Sequence, residues 1–502
     1  MSLSIIYTRA QFGVDAPLVT VETHISNGLP ALTIVGLPEM AVRESKERVR
    51  SALINSGFEF PTRRVTINLA PADLPKQGGR YDLAIAIGIL CATGQIESQD
   101  ISSCEFVGEL ALTGELRPVS GVLPTAIACR RHNQALFIAQ ENAAEASLAE
   151  GATIFAAVDL NQICQHLKGL TKLEVLKFEV PVQKSATLPD LSEVKGQFQA
   201  RRALELAAAG RHNLLFYGPP GTGKSMLAAR MPSILPVLSN DEVLDVASIY
   251  SLAGLTRDSL ILFSPPFRAP HHTASSVSLV GGGSHPKPGE ISLAHQGVLF
   301  LDELPEYGRA VLEVLREPIE SGEIRISRAN ASVCFPAKFQ LLAAMNPCPC
   351  GYSGHPKIAC TDTPQQISQY RRKLSGPLLD RFDLHVEVSC QSGAVLLAET
   401  SQSESSSDVL KRVIQARTNQ LQRQQKLNSE LSPKELSTFC ALKPETQKML
   451  EMAMDRLALS ARGAHRVIRV ARTLADLQNL ENIETTHLTE ALAYRGLDRR
   501  TA

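Results

Sequence analysis

The sequence has 502 residues, which is enough for about three domains. Its 51 Lys and Arg residues balance its 51 Asp and Glu residues, so bulk charge does not attract a polyanion and any nucleic-acid contact must use local patches. No run of about 18 consecutive apolar residues exists, which excludes a membrane-spanning helix.

The cysteines and the first residues predict a cytoplasmic location. Ten cysteines are scattered through the chain without the framework of a secreted protein. The start lacks the basic stretch and the long apolar run of a signal peptide. We therefore expect mostly free thiols, a reducing compartment and no membrane partner.

Residues 1–180 predict an α+β unit, because short alternating strands are interspersed with helices. Strands are expected at 19–25, 31–36 and 64–69. Helices are expected at 39–56, 82–91 and 122–131, and a strand hairpin turns at Gly114. Residues 181–192, which include two prolines, predict a linker.

The strongest motif follows an apolar run at 214–217 that predicts a buried strand. It matches G-x-x-x-x-G-K-[ST] in full and consists of Gly218, Pro219, Pro220, Gly221, Thr222, Gly223, Lys224 and Ser225. Glycines let backbone N–H groups surround phosphate oxygens at the start of a helix. We expect Lys224 to reach the β- and γ-phosphates of ATP and Ser225 to bind Mg²⁺.

Two acids end the next apolar run, at 298–301. The carboxyl edge of a parallel sheet is where ligands bind, so these acids are expected beside the phosphates. Asp302 is predicted to hold Mg²⁺, and Glu303 is predicted to polarise the attacking water. The alternative is a strand that ends in two solvated acids.

Three further polar residues fit roles around the nucleotide. Asn346 ends a buried strand and is predicted to sense the γ-phosphate. Arg381 is predicted to act on the ATP of a neighbouring subunit, and the alternative is a surface salt bridge with Asp380 or Asp383. Gln197 lies on the segment that leads to the first strand, and its expected place beside the adenine is implied by the resemblance of this segment to that of many ring ATPases.

The last part of the chain predicts a helical lid over 409–502, after a Ser-rich flexible linker at 393–408. One helix is expected from 460 to 480. It carries arginines at spacings that keep them near one face, namely Arg462, Arg466, Arg469 and Arg472. Arg466 is predicted to reach the nucleotide, and the alternative is a solvated basic face.

These motifs, in this order, resemble an AAA+ ring ATPase with its α/β core at 193–392. Residues 266–276 and 280–285 resemble the helix-2 insert of the magnesium-chelatase and MCM branch. Residues 322–333 resemble its pre-sensor hairpin. In that branch both elements point into a central pore, so this resemblance implies mobile pore loops, for which the glycines at 281–283 are suited.

The N-terminal passages 68–84 and 107–118 resemble the proteolytic domain of Lon proteases, which has the ribosomal protein S5 domain 2-like fold. Lon enzymes use a serine and a lysine. Gly79 stands where the serine belongs, and 122–124, which ends in Pro124, replaces the segment with the lysine. The resemblance therefore implies a proteolytically inactive scaffold for docking or assembly.

The Lon-like unit, together with the motifs at 270–273, 346–351 and 376–383, resembles the YifB/ComM family over essentially the whole chain. That resemblance implies a homo-hexameric, ATP-driven DNA branch-migration helicase that helps integrate incoming strands during natural transformation. The implied partners are single-stranded and branched DNA, further copies of the chain and the recombinase machinery.

Positive charge near the pore is expected to contact the DNA backbone without regard to sequence. The predicted contacts are Arg325, Arg328 and Lys338. A motor that moves through any homologous sequence needs such sequence-independent contacts. The alternative for the arginines is a solvated hairpin.

Cys348, Cys350 and Cys360 form a candidate zinc site. Members of the family commonly carry a further cysteine where this chain has Asp362. Zinc accepts nitrogen and oxygen donors, so either His355 or Asp362 is a candidate fourth ligand. The alternative is a loop of free thiols.

Two other functions stay open at this point. The chain is also consistent with an ATPase subunit of a magnesium chelatase, although the Lon-like unit argues against that function. An assembly or chaperone module that uses nucleotide binding as a switch, without acting on DNA, is the third hypothesis.

Overall fold

A computed structural model describes residues 3–97, 100–177, 188–255, 262–283, 286–328, 331–391, 403–457 and 459–497. These residues form a mixed N-terminal sheet, a parallel central sheet and a C-terminal group of helices. None of the helices within these ranges has the length and apolar character needed to cross a bilayer.

The N-terminal sheet has seven strands and is mixed. In spatial order they are Ala31–Val35, Arg64–Ala70, Leu18–Ser26, Leu3–Arg9, Cys104–Phe106, Ala135–Ala139 and Ile154–Ala157. The helices of this unit are Met40–Asn55, Asp82–Ala92, Val122–Arg131, Ala143–Ala146 and Leu160–Leu167. The predicted hairpin is present, with Glu109–Leu110 paired to Leu116–Arg117.

Helix Asp82–Ala92 packs at the centre of this unit because it is apolar on every side. Every residue of the helix except Cys91 is buried. The Asp82 carboxylate at its start accepts hydrogen bonds from Arg48 Nε at 2.8 Å and from the backbone N–H of Leu110 at 3.3 Å. The buried charge is therefore paired, as a folded core requires.

The central sheet is parallel throughout. Its three middle strands are buried at every residue, as a sheet covered on both faces requires. In spatial order they are Phe267–Arg268, Val298–Leu301, Gln340–Met345, Leu214–Tyr217 and Leu384–Glu387. All strands start at one edge of the sheet, the amino edge, and end at the other, the carboxyl edge.

Short helices and two small antiparallel ladders surround this sheet. The helices are Phe198–Gly210, Lys224–Ala229, Asn240–Ala253, Ser276–Val280, Glu290–Leu293, Arg309–Glu313, Arg316–Ser321, Pro364–Arg371 and Gly376–Leu379. One ladder pairs Glu323–Arg328 with Ala331–Pro336, and the other pairs Gly281–Gly282 with Lys287–Pro288. The first ladder is the predicted hairpin.

The C-terminal helices share one apolar core with the central sheet. They are Ser406–Gln424, Pro433–Phe439, Pro444–Leu457, Ala461–Leu477 and Thr485–Ala493. The predicted capping box is present at Ser432, whose side chain accepts the N–H of Glu435. The lid therefore packs tightly on the sheet.

Both predicted linkers need correction where the structure describes them. Residues 178–187 and 392–402, which hold most of the two linkers, lie outside the described residues. Leu191 belongs to a short 3-10 turn and is buried, and its N–H donates to Ser406 Oγ at 2.7 Å. The lid helix begins at Ser406, three residues before the predicted boundary, because Ser405 caps it.

The N-terminal unit packs directly on the ATPase core. Helices Val122–Arg131 and Asn240–Ala253 contribute to one buried apolar cluster, and the Gly121 N–H donates to the Ser251 carbonyl at 3.2 Å. A second contact lies at the hairpin formed by Glu323–Arg328 and Ala331–Pro336, where a Cβ built on Gly13 would lie 2.9 Å from Val333 Cγ1. The two units are thus joined at two places.

Candidate active site

The predicted phosphate-binding loop, residues 218–225, leaves the middle of the carboxyl edge. Its strand, Leu214–Tyr217, lies between Gln340–Met345 and Leu384–Glu387. A Cβ at Gly218 would lie 2.2 Å from the carbonyl oxygen of Val388, so only glycine fits at this position. The helix that follows, Lys224–Ala229, points its first N–H groups into the loop.

Lys224 lies in the centre of this loop and is 8 % exposed. Its Nζ donates to the carbonyl oxygens of Gly218 at 2.7 Å and Pro219 at 2.8 Å. A third bond goes to Asn346 Oδ1 at 3.1 Å. Burial lowers the pKa of Lys224, against the attraction of Asp302. The structure therefore brings the predicted lysine and the predicted sensor residue into contact.

Ser225 and the two acids lie next to this loop. The Ser225 hydroxyl donates to Asp302 Oδ2 at 2.5 Å, which places both predicted Mg²⁺ ligands side by side. Glu303 has a left-handed backbone with φ of 51°, and its N–H donates to Asp302 Oδ1 at 2.9 Å. The hydroxyl and carboxylate are hard oxygen donors of the kind that bind Mg²⁺.

Glu303 also has a neighbour that the sequence did not assign to the site. His272 Nδ1 lies 3.2 Å from Glu303 Oε2. His272 belongs to the motif at 270–273, which the sequence assigned to the predicted insert, so the available signal was the pair of adjacent histidines in that motif. Sequence spacing alone does not bring this segment to Glu303, because 30 residues separate the two.

Gln197 contacts the phosphate-binding loop through its side chain. Its backbone is left-handed, with φ of 52°, and its Nε2 donates to the carbonyl oxygens of Thr222 at 3.1 Å and Ser389 at 2.9 Å. The side chain thus ties the entry segment to the phosphate-binding loop, and its position beside the adenine stays a prediction.

Arg381 lies at the opposite edge of the sheet, the amino edge, in the short turn before strand Leu384–Glu387. Its side chain is 8 % exposed, and Nη2 pairs with Glu320 Oε1 at 2.8 Å. Nε and Nη1 donate to the carbonyl oxygens of Arg316 at 3.2 Å and Pro377 at 2.6 Å. Among the described residues the ion-pair partner is thus Glu320 and neither of the aspartates given as the alternative.

Arg466 also lies at the amino edge, with its Nε 3.6 Å from Asp383 Oδ1. Asp383 accepts the backbone N–H of Asn213 at 3.0 Å, and these two residues precede neighbouring strands. The five steps from Asn213 to Gly218 span about 17 Å at the usual strand rise. The prediction that Arg466 reaches the nucleotide therefore does not hold within one chain.

A cavity of about 560 Å³ contains both of these arginines. Its basic lining consists of Arg211, Lys338, Arg381, Arg462, His465, Arg466 and Arg469. Its acidic lining consists of Glu320, Asp383 and Glu430. We name it the arginine cavity. Within the described residues, Arg466 Nη1 and Arg469 Nε are buried without a hydrogen-bond partner, and burial lowers the pKa of both side chains.

The four arginines of helix Ala461–Leu477 do not share one environment. Arg462 is exposed, whereas Arg472 is 2 % exposed and pairs with Asp476 at 2.9 Å. Arg472 also donates to the carbonyl oxygens of Leu480 and Glu481 at 2.5 Å. The predicted shared basic face is therefore wrong for Arg472, which stabilises the end of its own helix.

The predicted DNA contacts are divided between two places. Arg325 is 71 % exposed on the outer face of the hairpin, where it lies 3.8 Å from Glu323. Arg328 ends the same strand, and its side chain lies outside the described residues. Lys338 follows the hairpin and lines the arginine cavity instead, with its Cγ against Gly322.

The three cysteines of the candidate zinc site lie together. Their sulfurs are 3.4, 3.6 and 3.5 Å apart, close to the edges of a tetrahedron around zinc with Zn–S of about 2.3 Å. Asp362 joins Cys348, Cys350 and Cys360, and all four ligand atoms lie within 4.8 Å of one another. Three soft sulfurs and one carboxylate therefore fit zinc.

Of the two candidate fourth ligands, Asp362 is the one grouped with the three sulfurs. His355 Nδ1 accepts the N–H groups of Lys357 at 3.1 Å and Ile358 at 2.8 Å, so this nitrogen is occupied. The loop with the cysteines also touches the phosphate-binding loop, because a Cβ at Gly351 would lie 2.8 Å from Pro220 Cδ.

Three family models match parts of this chain. The model described as magnesium chelatase, subunit ChlI, matches residues 190–396. The model described as subunit ChlI of Mg-chelatase matches 21–142, and the one for the ChlI C-terminal part matches 403–495. The central match contains the whole parallel sheet, and the last contains most of the lid.

Full-length relatives extend these matches. YifB of Salmonella typhimurium is 50% identical over 499 residues, which cover 99% of this chain and 98% of the relative. Competence protein ComM of Haemophilus influenzae is 50% identical over 505 residues, with the same coverage. The magnesium-chelatase 38 kDa subunit of Cereibacter sphaeroides is 25% identical over 214 residues, which cover 39% of this chain and 58% of that subunit. By the identity that spans its whole length, this chain belongs to the YifB/ComM family of magnesium-chelatase-like proteins.

Proposed function

We propose that this protein is an ATP-driven hexameric ring motor that moves on DNA and promotes branch migration. Its role would be to help homologous recombination integrate transforming DNA in the cytoplasm. The observation that carries the proposal is the arrangement of the central sheet, with a phosphate-binding loop at one edge and an arginine cavity at the other. One relative's name, competence protein ComM, supports the connection with transformation.

The carboxyl edge supplies the half-site that binds ATP and Mg²⁺. Among the described residues, Lys224 donates to two backbone oxygens and to Asn346, and phosphate oxygens are stronger acceptors for its ammonium group. Ser225 and Asp302 provide the oxygens that Mg²⁺ needs. Glu303 would polarise the attacking water, and Asn346 would sense the γ-phosphate beside Lys224.

The amino edge supplies the second half-site, which would act on the ATP of the next subunit. Arg381 and Arg466 both lie in the arginine cavity, on the far side of the sheet from their own Lys224. A buried guanidinium nitrogen without a partner is costly, so the cavity favours an anionic ligand. A ring brings one subunit's phosphates to its neighbour's arginines, and six subunits are the number that the family resemblance implies.

The hairpin would provide the contact with DNA. Its inner residues, including Ile324 and Phe335, are buried, whereas Arg325 extends into solvent. A rigid hairpin with exposed positive charge fits a phosphate backbone, and such contacts ignore sequence. The N-terminal unit, residues 1–180, would be an inactive Lon-like scaffold that positions the ATPase core.

Zinc at Cys348, Cys350, Cys360 and Asp362 would stabilise the loop behind the phosphate-binding loop. When bound, the metal supplies a rigid structural cross-link and no reactive group. The contact between Gly351 and Pro220 places that cross-link against the nucleotide half-site.

A magnesium-chelatase type of ATPase stays as the second candidate. The match of residues 21–142 to the model described as subunit ChlI weakens the argument that the N-terminal unit excludes it. The alignment with the chelatase 38 kDa subunit covers only 39% of this chain, which favours the full-length relatives as guides.

The deciding experiment uses a strand-exchange intermediate with a labelled strand, purified protein and ATP. ATP-dependent movement of the branch point, together with hydrolysis that DNA stimulates, supports the proposal. Hydrolysis that responds only to a chelatase partner favours the second candidate. Binding of ATP without turnover favours an assembly or chaperone switch, the third hypothesis. The matched control is Glu303→Gln, which should bind ATP and stall on DNA.

A further inference from the structure

The N-terminal unit reaches the hairpin through the turn between its first two strands. Strands Leu3–Arg9 and Leu18–Ser26 are antiparallel, and residues 10–17 join them. We name these residues the N-terminal turn. The Ala10 N–H donates to the Pro17 carbonyl at 3.0 Å, which closes the turn at its base. The proposed function gives this turn no part in DNA binding or in hydrolysis.

A buried ion pair holds the N-terminal turn in place. Arg9 Nε and Nη2 donate to the two carboxylate oxygens of Glu105 at 2.6 and 2.8 Å, and both side chains are buried. Arg9 Nη1 donates to the Ala16 carbonyl at 2.8 Å, so the same guanidinium group also holds the backbone of the turn. A bidentate pair of this kind fixes geometry as well as charge. The turn is therefore a well-defined support.

The tip of the N-terminal turn packs against the apolar face of the hairpin. Phe12 and Val14 lie against an apolar cluster. The hairpin supplies four members of that cluster, namely Ile324, Ile326, Val333 and Phe335. Gly13 has φ of 58°, and a Cβ built on it would lie 2.9 Å from Val333 Cγ1 and 3.2 Å from the carbonyl oxygen of Cys334. Both the backbone conformation and the close approach therefore favour glycine.

The opposite face of the hairpin carries the predicted DNA contact. In the ladder, Arg325 pairs with Cys334, and Ile326 pairs with Val333. Successive side chains of a strand point to opposite faces, so the exposed Arg325 and the buried Val333 lie on different faces of the ladder. The N-terminal turn therefore supports the hairpin from behind, next to the strand position of Arg325.

The hairpin is held at its base by the ATPase core and further out by the N-terminal turn. At the base, the Ala337 N–H donates to the Gly322 carbonyl at 2.7 Å. The ladder has six residue pairs, and Val333 belongs to the fourth pair counted from this base. A contact at that position limits how far the outer half of the hairpin can swing about its base.

We propose that the N-terminal turn positions the hairpin on DNA, with Gly13 as the positioning residue. The turn holds the outer half of the hairpin from its apolar face, and Arg325 on the other face is thereby directed at the phosphate backbone. The N-terminal unit contributes to DNA affinity in this way without a DNA contact of its own. This inference rests on the proposed function, since it takes the hairpin as the DNA contact.

The test compares Gly13→Ala with Gly94→Ala in the full-length protein. Both glycines belong to the N-terminal unit and have left-handed backbones, with φ of 58° and 73°. A Cβ at Gly94 would meet nothing within 4 Å, so this control carries the backbone strain without the contact. Gly13→Ala should weaken DNA binding about threefold to tenfold and reduce its salt dependence by about one phosphate contact. Gly94→Ala should bind DNA as the unchanged protein does, and equal losses in the two variants would overturn the inference.

A double variant identifies the contact itself. Val333→Ala removes the methyl group that the new Cβ meets in Gly13→Ala. The protein with both changes should therefore bind DNA about twofold or more tightly than the two separate losses combined would give, because residues in contact are not additive. Losses that simply add would overturn the inference.

A second variant keeps the inference testable if Gly13→Ala does not fold. Phe12→Ala removes an apolar contact of the N-terminal turn without adding a Cβ at Gly13, and it should weaken DNA binding about twofold or more. Amide hydrogen exchange of strand Ala331–Pro336, measured by mass spectrometry without DNA, should be faster than in the unchanged protein. Exchange that stays unchanged in this strand would overturn the inference. Binding of a fluorescent ATP analogue shows whether each variant is folded.

The failure of this inference can be told apart from the failure of the proposed function. If Arg325→Ala weakens DNA binding but neither Gly13→Ala nor Phe12→Ala does, only the positioning role of the N-terminal turn is wrong. If none of the three variants changes DNA binding, the hairpin is not the DNA contact, and the inference is rejected together with that part of the proposed function.

Discussion

The two edges of the central sheet differ in how completely their charges are satisfied. At the carboxyl edge, Lys224 has three oxygen partners within the chain, and Ser225 is bonded to Asp302. At the amino edge, Arg466 and Arg469 keep buried nitrogens without a partner among the described residues. The first edge can exchange the partners of Lys224 for phosphate, whereas the second keeps guanidinium nitrogens for which the described residues offer no acceptor, although three carboxylates line the same cavity.

The most complete loss of function is expected at the carboxyl edge, because a site that does not bind ATP supports no turnover. Lys224→Ala should lower the affinity for ATP by about 100-fold or more, because the only ammonium group in the loop is lost. Binding of a fluorescent ATP analogue measures this effect. Lys448→Ala, at an exposed position of the lid, is the matched control and should bind normally. Equal affinities in the two variants would remove Lys224 from the site.

Arg381→Ala tests the amino edge and should slow hydrolysis by roughly 10³-fold while ATP still binds. Mixing Arg381→Ala with Lys224→Ala protomers then decides between the two edges. Each variant carries the half-site that the other lacks, so a fraction of the turnover should return on mixing. An absence of recovery, with stable mixed assemblies, would show that Arg381 does not act between subunits.

The metal loop behind the carboxyl edge should bind about one zinc per chain, with three sulfur ligands and one oxygen ligand. Asp362→Ala should weaken zinc binding by about 10- to 100-fold. Metal analysis of protein purified without chelator gives the stoichiometry, and the absorption of the cobalt form counts the thiolates. His355→Ala should bind zinc normally, and a loss in that variant alone would reverse the choice of fourth ligand.

The smallest expected effect belongs to the hairpin, which joins the sheet at the amino edge. Arg325→Ala should weaken DNA binding about threefold to tenfold and reduce the salt dependence by about one phosphate contact. Titrations at several salt concentrations measure both quantities. Arg456→Ala, exposed on a lid helix, is the control. An unchanged salt dependence in Arg325→Ala would place the DNA contact elsewhere.

The sequence predicted those features that short stretches of chain determine. The phosphate-binding loop is encoded in eight consecutive residues, and helix Asp82–Ala92 follows from an apolar run without a polar face. Capping residues likewise predicted the start of helix Pro433–Phe439. In each case the physical cause is local backbone geometry or local burial, which neighbouring residues specify.

The remaining features depend on contacts between distant segments, and the sequence did not reveal them. The choice of Asp362 over His355 depends on how one loop folds back, and the pairing of Arg381 with Glu320 depends on a helix, Arg316–Ser321, that lies far away in the sequence. The contact between His272 and Glu303 has the same origin. In the first case the sequence left two ligands open, in the second it offered the wrong partners, and in the third it assigned His272 no place in the site.

The N-terminal unit contacts the ATPase core at Ser251 and at Val333. Ser251 lies next to the predicted insert, and Val333 lies on the hairpin. Deletion of the N-terminal unit would therefore expose an apolar surface. This surface includes Leu238, Val243 and Val246, which are buried in the shared cluster. A chain truncated in this way should aggregate in solution, and aggregation would prevent a measurement of its ATP hydrolysis. The ATPase core and the N-terminal unit should therefore be produced together, as one chain.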